Sequence, residues 1–137
     1  MSKYVKPYLF LSAAVLLFVG VMLSFAPEAL YASSAQILPD STMIRSDLRA
    51  GGVVVLISGL FVLGAALRGR DMQPALLLSL LIYAGYGLGR IVSIGFDGTP
   101  DAALIIVTVT EWAFVLGALI LLRRGRSVDT AQPMAAH

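Results

Sequence analysis

Glu111, in the run TVTEWAFV, and Arg90, in the run YAGYGLGRIVSIGFDG, are ionisable residues set in the middle of apolar stretches. An ion inside such a stretch is costly and needs a partner, a water path or a short route to an interface. A carboxylate there is expected to be buried, paired or protonated. Arg90 belongs to a polar stripe: Ser79, Tyr83, Tyr86, Arg90 and Ser93 follow one another at spacings of four, three, four and three, which puts all five on one helical face. Another hydroxyl, that of Thr108, lies one turn before Glu111 on its face. These groups admit three kinds of chemistry. Arg90 and Glu111 can form a structural ion pair, they can hold the head of a ligand or a partner protein, or Glu111 can titrate, with Tyr86 as a neighbouring acid or base.

Other site chemistries are excluded by residue type. The chain has no cysteine, so no disulfide or thiolate metal site can form, and its one histidine is the last residue, His137, so no metal triad, imidazole base or serine triad can be assembled in the membrane. No catalytic residues are assigned, and no metal or other cofactor is expected. The glycines of GYGLGR do not make a nucleotide loop, because no strand precedes them; Gly85 and Gly89 instead form a GxxxG pair suited to helix contact.

The elements that must carry these residues are set by composition. Of 137 residues, 58% are apolar and 13% charged, with a mean hydropathy of +0.88, far from a small soluble domain with about a quarter of its residues charged. The excess is concentrated in four runs, at about residues 7–26, 48–67, 75–94 and 102–122, each near the roughly 20 residues that cross a bilayer core. The expected fold is therefore all-α: one domain over 1–126, a four-transmembrane-helix antiparallel bundle, with the short links RGRDMQP and FDGTPD joining antiparallel neighbours. The first run exceeds the roughly 7–15 apolar residues of a signal peptide and reads as an uncleaved span. PYLFLS and PALLLS, at 7–12 and 74–79, form a faint internal echo.

Lys3, Lys6, Arg68, Arg70, Arg123, Arg124 and Arg126 flank one side of this arrangement. Arg45 and Arg49 stand on the other, among Glu28, Asp40, Asp47, Asp97 and Asp101. The positive-inside rule then places both termini in the cytoplasm. These basic residues serve as anchors, so the net charge of +2 does not point to nucleic acid. Residues 27–47 form the one long loop, external, whose second half turns helical after a cap at Asp40 or Ser41; residues 127–137 read as a flexible cytoplasmic tail. Pro74 suits the first turn of the third span, and Asp97-Gly98 a corner.

The second span opens with Arg49, followed by Gly51 and Gly52, which allow close helix approach. Arg49 either snorkels to the headgroups or joins Arg90, Glu28 and Asp97 as the rim of an outward-opening pocket with Glu111 at its floor. With each span's centre at the membrane midplane, Arg90 stands roughly 7 Å toward the outside and Glu111 near the centre. A direct pair is within reach, and Tyr86, nearly level with Glu111, is a competing donor.

Pro27-Glu28, LRAGG at 48–52, GRIVS at 89–93, DGTP at 97–100 and Glu111 together resemble a family of small bacterial four-helix membrane proteins classed as a domain of unknown function, over about residues 7–124. The resemblance implies a four-helix bundle in a bacterial inner membrane, no activity to carry over, and a single constellation of Arg49, Arg90, Asp97 and Glu111.

Three functions are then open. A non-enzymatic accessory or binding protein would hold a lipid, a quinone-like or other amphipathic molecule, or a larger membrane complex, through Arg90, Glu111, Tyr86, Tyr83, Arg49, Asp97, Glu28 and Thr108. A homo-oligomeric transporter would use Glu111 for proton coupling, against which the nearby arginine counts. An enzyme acting on a lipid or isoprenoid would need Glu111, Tyr86 and Arg90 to converge on a cavity.

Overall fold

The computed structural model describes residues 3–129, and of 126–129 only the backbone. Its helices are α1 (Val5–Phe25), α2 (Pro27–Ser33), α3 (Thr42–Arg68), α4 (Met72–Asp97) and α5 (Ala102–Asp129). All but α2 are long and apolar enough to cross a membrane, and the chain is read as a multi-pass membrane protein. The expected loop at 27–47 is partly helical. Pro27 occupies the first turn of α2, with Glu28 beside it, where a preset φ and a negative charge both favour a helix start.

The other boundaries follow local chemistry. Ser41 caps α3, its Oγ accepting the Ile44 N–H at 3.4 Å, and Asp101 precedes α5, its Oδ1 accepting the Leu104 N–H at 2.8 Å. Gly69 at φ +65° ends α3, and Gly98 at φ +102° follows α4; both conformations suit glycine. α5 runs beyond the expected span end at 122, through Asp129. The rest of the expected tail, 130–137, lies outside the described residues.

Helix directions can be read from the contacts. Along α3, Gly52, Leu56 and Gly59 meet Ser24, Gly20 and Leu16–Leu17 of α1 in that order, so the two helices are antiparallel. A Cβ on Gly20 would stand 2.6 Å from the Leu56 backbone nitrogen, and one on Gly52 would stand 2.7 Å from that of Ser24. Only glycine permits two backbones to approach this closely. α4 and α5 are antiparallel too, with Tyr83 on Phe114, Gly87 on Trp112 and Arg90 on Glu111. The bundle therefore has a termini end, carrying the α3–α4 turn, and a loop end, carrying α2 and the α4–α5 turn.

A polar knot joins α1 to α4 and α5. The Ser12 and Ser79 hydroxyls hydrogen-bond to each other, Tyr83 donates to the Ser12 carbonyl at 3.2 Å, and Tyr8 donates to the Phe114 carbonyl at 2.8 Å. Phe114 stacks on Tyr83 with ring centroids 4.4 Å apart and meets Tyr8 edge-on. Hydroxyls without water must find such partners, and rings this close add offset or edge contacts. Here the first half of α4's polar stripe, Ser79 and Tyr83, faces inward and is buried, whereas Tyr86 and Ser93 are exposed.

Nearer the loop end the packing changes. α4's buried residues stop at Gly87, and residues 91–99 are exposed on every face. α5 has no buried residue before Glu111. The tip of the α4–α5 hairpin thus extends beyond the core without cover from α1 and α3.

Candidate functional site

Arg90 and Glu111 lie where the buried core ends. Antiparallel packing of α4 and α5 sets them opposite each other, and side chains leaning toward their own N-termini close the gap. The Arg90 Nε–H is shared by both carboxylate oxygens, at 2.9 Å to Oε2 and 3.1 Å to Oε1. The Glu111 side chain is 9% exposed and that of Arg90 25%. Guanidinium and carboxylate more often meet through two parallel N–H donors. With Nε alone engaged, the two terminal nitrogens of Arg90 make no hydrogen bond among the described residues.

Tyr86, one turn before Arg90, is 37% exposed. Its hydroxyl stands 3.8 Å from where a Cβ on Gly51 would sit, so α3 passes it without filling the space. It makes no hydrogen bond among the described residues: of the two donors the sequence offered Glu111, Arg90 is the one that bonds to it. Thr108 donates at 2.8 Å to the Leu104 carbonyl in its own helix, a local bond that competes with any longer reach. Trp112, beside Glu111 in sequence, packs its indole on Gly87, with Nε1 3.1 Å from the position of a Cβ there.

The remaining expected members go elsewhere, which corrects the anticipated rim. Arg49 reaches back to α1, donating through Nη1 to the Ser24 carbonyl at 2.6 Å. The end of a helix leaves such carbonyls free and attracts cations, so this contact is a cap. Glu28 meets Arg45 at 3.7 Å, and Arg45 also holds Asp40 at 3.2 Å. These contacts tie α2 and its following loop to α3. Asp97 accepts from Ser93 at 2.7 Å within α4's last turn. Tyr83 belongs to the buried knot, toward the termini end.

Of the expected eight, then, the structure gathers Arg90, Glu111 and Tyr86. The glycines also divide. Gly52 makes the close approach expected of it, whereas Gly85 and Gly89 meet nothing within 4 Å. Their GxxxG pair is not a contact between helices of this chain among its described residues. Sequence reasoning missed Ser12, Tyr8 and Arg45 as partners. Ser12 shares its apolar run with Tyr8 and Ser24, and only its alignment with Ser79 in the PYLFLS and PALLLS segments hinted at a pairing. Away from the site, a small apolar groove of about 210 Å³ lies between α4 and α5 near the termini end, lined by Leu77, Leu80, Leu119, Leu122 and Arg123.

Comparison with known families places these residues. The profile of the Domain of unknown function (DUF4345) matches residues 5–122, which takes in α1 through most of α5. The chain belongs to the DUF4345 family. Searches of curated proteins and of solved structures find no significant match. Arg90, Glu111 and Tyr86 all fall within the matched DUF4345 region, as do the Ser12–Ser79 knot and the glycine seam between α1 and α3. The family carries no described activity, so chemistry must be argued from the site.

Proposed function

We propose that this chain is a non-enzymatic binding or accessory protein of the bacterial inner membrane, holding a lipid-like molecule or a membrane partner at Arg90, Glu111 and Tyr86. The observation that supports this best is the incomplete use of Arg90. Glu111 occupies only its Nε, and a partly buried guanidinium with open donors at the edge of the core is primed for an acceptor. A clasp serving structure alone would be expected to engage more of the fork. Proton-coupled transport through Glu111 draws less support, because Arg90 sits on both of its carboxylate oxygens. A lipid-modifying enzyme would need Glu111, Tyr86 and Arg90 to converge on a substrate, and it draws less support because Glu111 is tied to Arg90 and not to Tyr86.

The test is native mass spectrometry of gently extracted protein. A co-purifying small molecule or protein is expected on the wild type and is expected to be lost from an Arg90→Lys/Tyr86→Phe double variant. If wild type and variant both fly bare, or both keep the same adducts, the reading fails.

The proposed orientation has both termini in the cytoplasm. It rests on Lys3, Lys6, Arg68, Arg70, Arg123 and Arg124, which antiparallel packing gathers at the termini end. The chain has no cysteine, so single introduced thiols report cleanly. In intact cells, Thr99→Cys in the α4–α5 turn is expected to react with an impermeant maleimide, and Asp71→Cys in the α3–α4 turn only after lysis. The opposite pattern would invert the topology.

A further inference from the structure

We infer that the open donors of Arg90 and Tyr86 receive the uncharged, carbonyl-bearing head of a lipid-like molecule rather than an anionic headgroup. The inference rests on the binding reading above and adds the class of ligand. Three observations lead to it.

The first is charge. Arg90 and Glu111 neutralise each other at 2.9 Å, so an added anion would leave the site with a net negative charge, in surroundings where an uncompensated ion is expensive. A neutral head adds no such charge. The second is donor type. The open groups are the Arg90 terminal nitrogens, which only donate, and the Tyr86 hydroxyl, which can donate. Their complement is a pair of acceptor oxygens, as in a quinone, ketone or ester.

The third is depth. Along α4 (Met72–Asp97), Arg90 lies about 8 Å from the helix midpoint at a rise of 1.5 Å per residue. Half of a bilayer's hydrocarbon core is about 15 Å. A lipid phosphate outside that core is therefore roughly 7 Å or more farther out, and the bond to Glu111 turns the guanidinium sideways across to α5 rather than out to the headgroups. Access is lateral, at the loop end, where residues 91–99 are exposed on all faces.

The chain carries its own reporter. Trp112 is its one tryptophan and packs on Gly87, a turn from Arg90, and contact with a benzoquinone quenches indole fluorescence. Full-length protein in nanodiscs of neutral lipid is titrated with a decyl-substituted benzoquinone. Saturable quenching is expected in the wild type. Arg90→Lys keeps a cation for Glu111 but removes the planar fork, and is expected to bind about tenfold more weakly. Tyr86→Phe leaves the ion pair untouched and is expected to bind about fivefold more weakly. Where Arg90→Lys also lowers thermal stability, Tyr86→Phe alone decides.

Competition separates the classes. Monoolein, neutral and ester-bearing, is expected to displace the quinone at lower concentration than oleate or phosphatidic acid. If the anionic lipids displace it better, the ligand class is wrong and the binding reading stands. If quenching is linear in quinone and identical in all three proteins, there is no carbonyl site. Should native mass spectrometry then also show no retained adduct of any class, the binding reading falls with it.

Discussion

Gly20→Ala is expected to cost the protein about 2–3 kcal/mol, although alanine in a helix interior ordinarily gains about 1 kcal/mol over glycine. The new Cβ would lie 2.6 Å from the Leu56 backbone nitrogen and 2.7 Å from its Cα. Backbone cannot swing aside as a side chain can, so relief requires α1 and α3 to move apart along their whole seam. Gly52→Ala is expected to behave alike, since its Cβ would meet the Ser24 backbone at 2.7 Å. Gly85→Ala and Gly89→Ala add a Cβ into open space and are expected to be neutral or stabilising by up to about 1 kcal/mol. Thermal or denaturant unfolding of the four variants in one detergent makes the comparison. Equal stability of Gly20→Ala and wild type would remove the seam as the main contact. A costly Gly85→Ala would mean that the open pair meets a helix of another chain.

Removing Arg90's side chain carries a still larger expected effect. In Arg90→Ala the Glu111 carboxylate, on a residue only 7% exposed, would lose both of its hydrogen bonds, and orphaning one member of a buried pair costs about 3–5 kcal/mol. Glu111→Gln is expected to cost less, because the amide is neutral and can still accept from Nε. The double variant Arg90→Leu/Glu111→Leu is expected to recover most of the loss, since replacing both ions with apolar groups removes the desolvation cost along with the attraction. The readout is the coupling energy of the double-mutant cycle, from unfolding measured at one pH and salt. Additive losses would show that the two side chains, though in contact, do not depend on each other. The cycle also separates structure from recognition: a stable double-leucine variant that has lost its adducts keeps the fold and lacks only the site.

Although α2 and the full lengths of α4 and α5 were not, the four long apolar helices in their order and the facing of Arg90 and Glu111 across α4 and α5 were legible from the amino acids. Runs of apolar residues near bilayer length, short turn-rich links and two ions at matching depths constrain those features locally. Expectations failed where an outcome depended on competition between partners. Arg49, Glu28 and Asp97 read as a common rim because all three flank the same ends of spans. Arg49 instead found the bare carbonyl of Ser24, Glu28 found Arg45, and Asp97 found Ser93 one turn away. Each choice turns on distances of a few ångströms that residue type and spacing do not encode. The glycines show the same limit: Gly52 and Gly85 sit in equally plausible helix-contact motifs, yet one is sealed against α1 and the other faces open space.

Sequence alone therefore determined the all-α class, the four membrane-length helices and the presence of a buried carboxylate opposite an arginine, because hydropathy and helical period act over a single element at a time. Tertiary structure alone decided that the core closes around Ser12, Ser79, Tyr83 and Phe114 and ends at Arg90 and Glu111, and that Arg90 spends one donor and keeps the rest open. These features arise between elements, where close packing lets each polar group take the nearest partner that geometry allows and leaves the others without one.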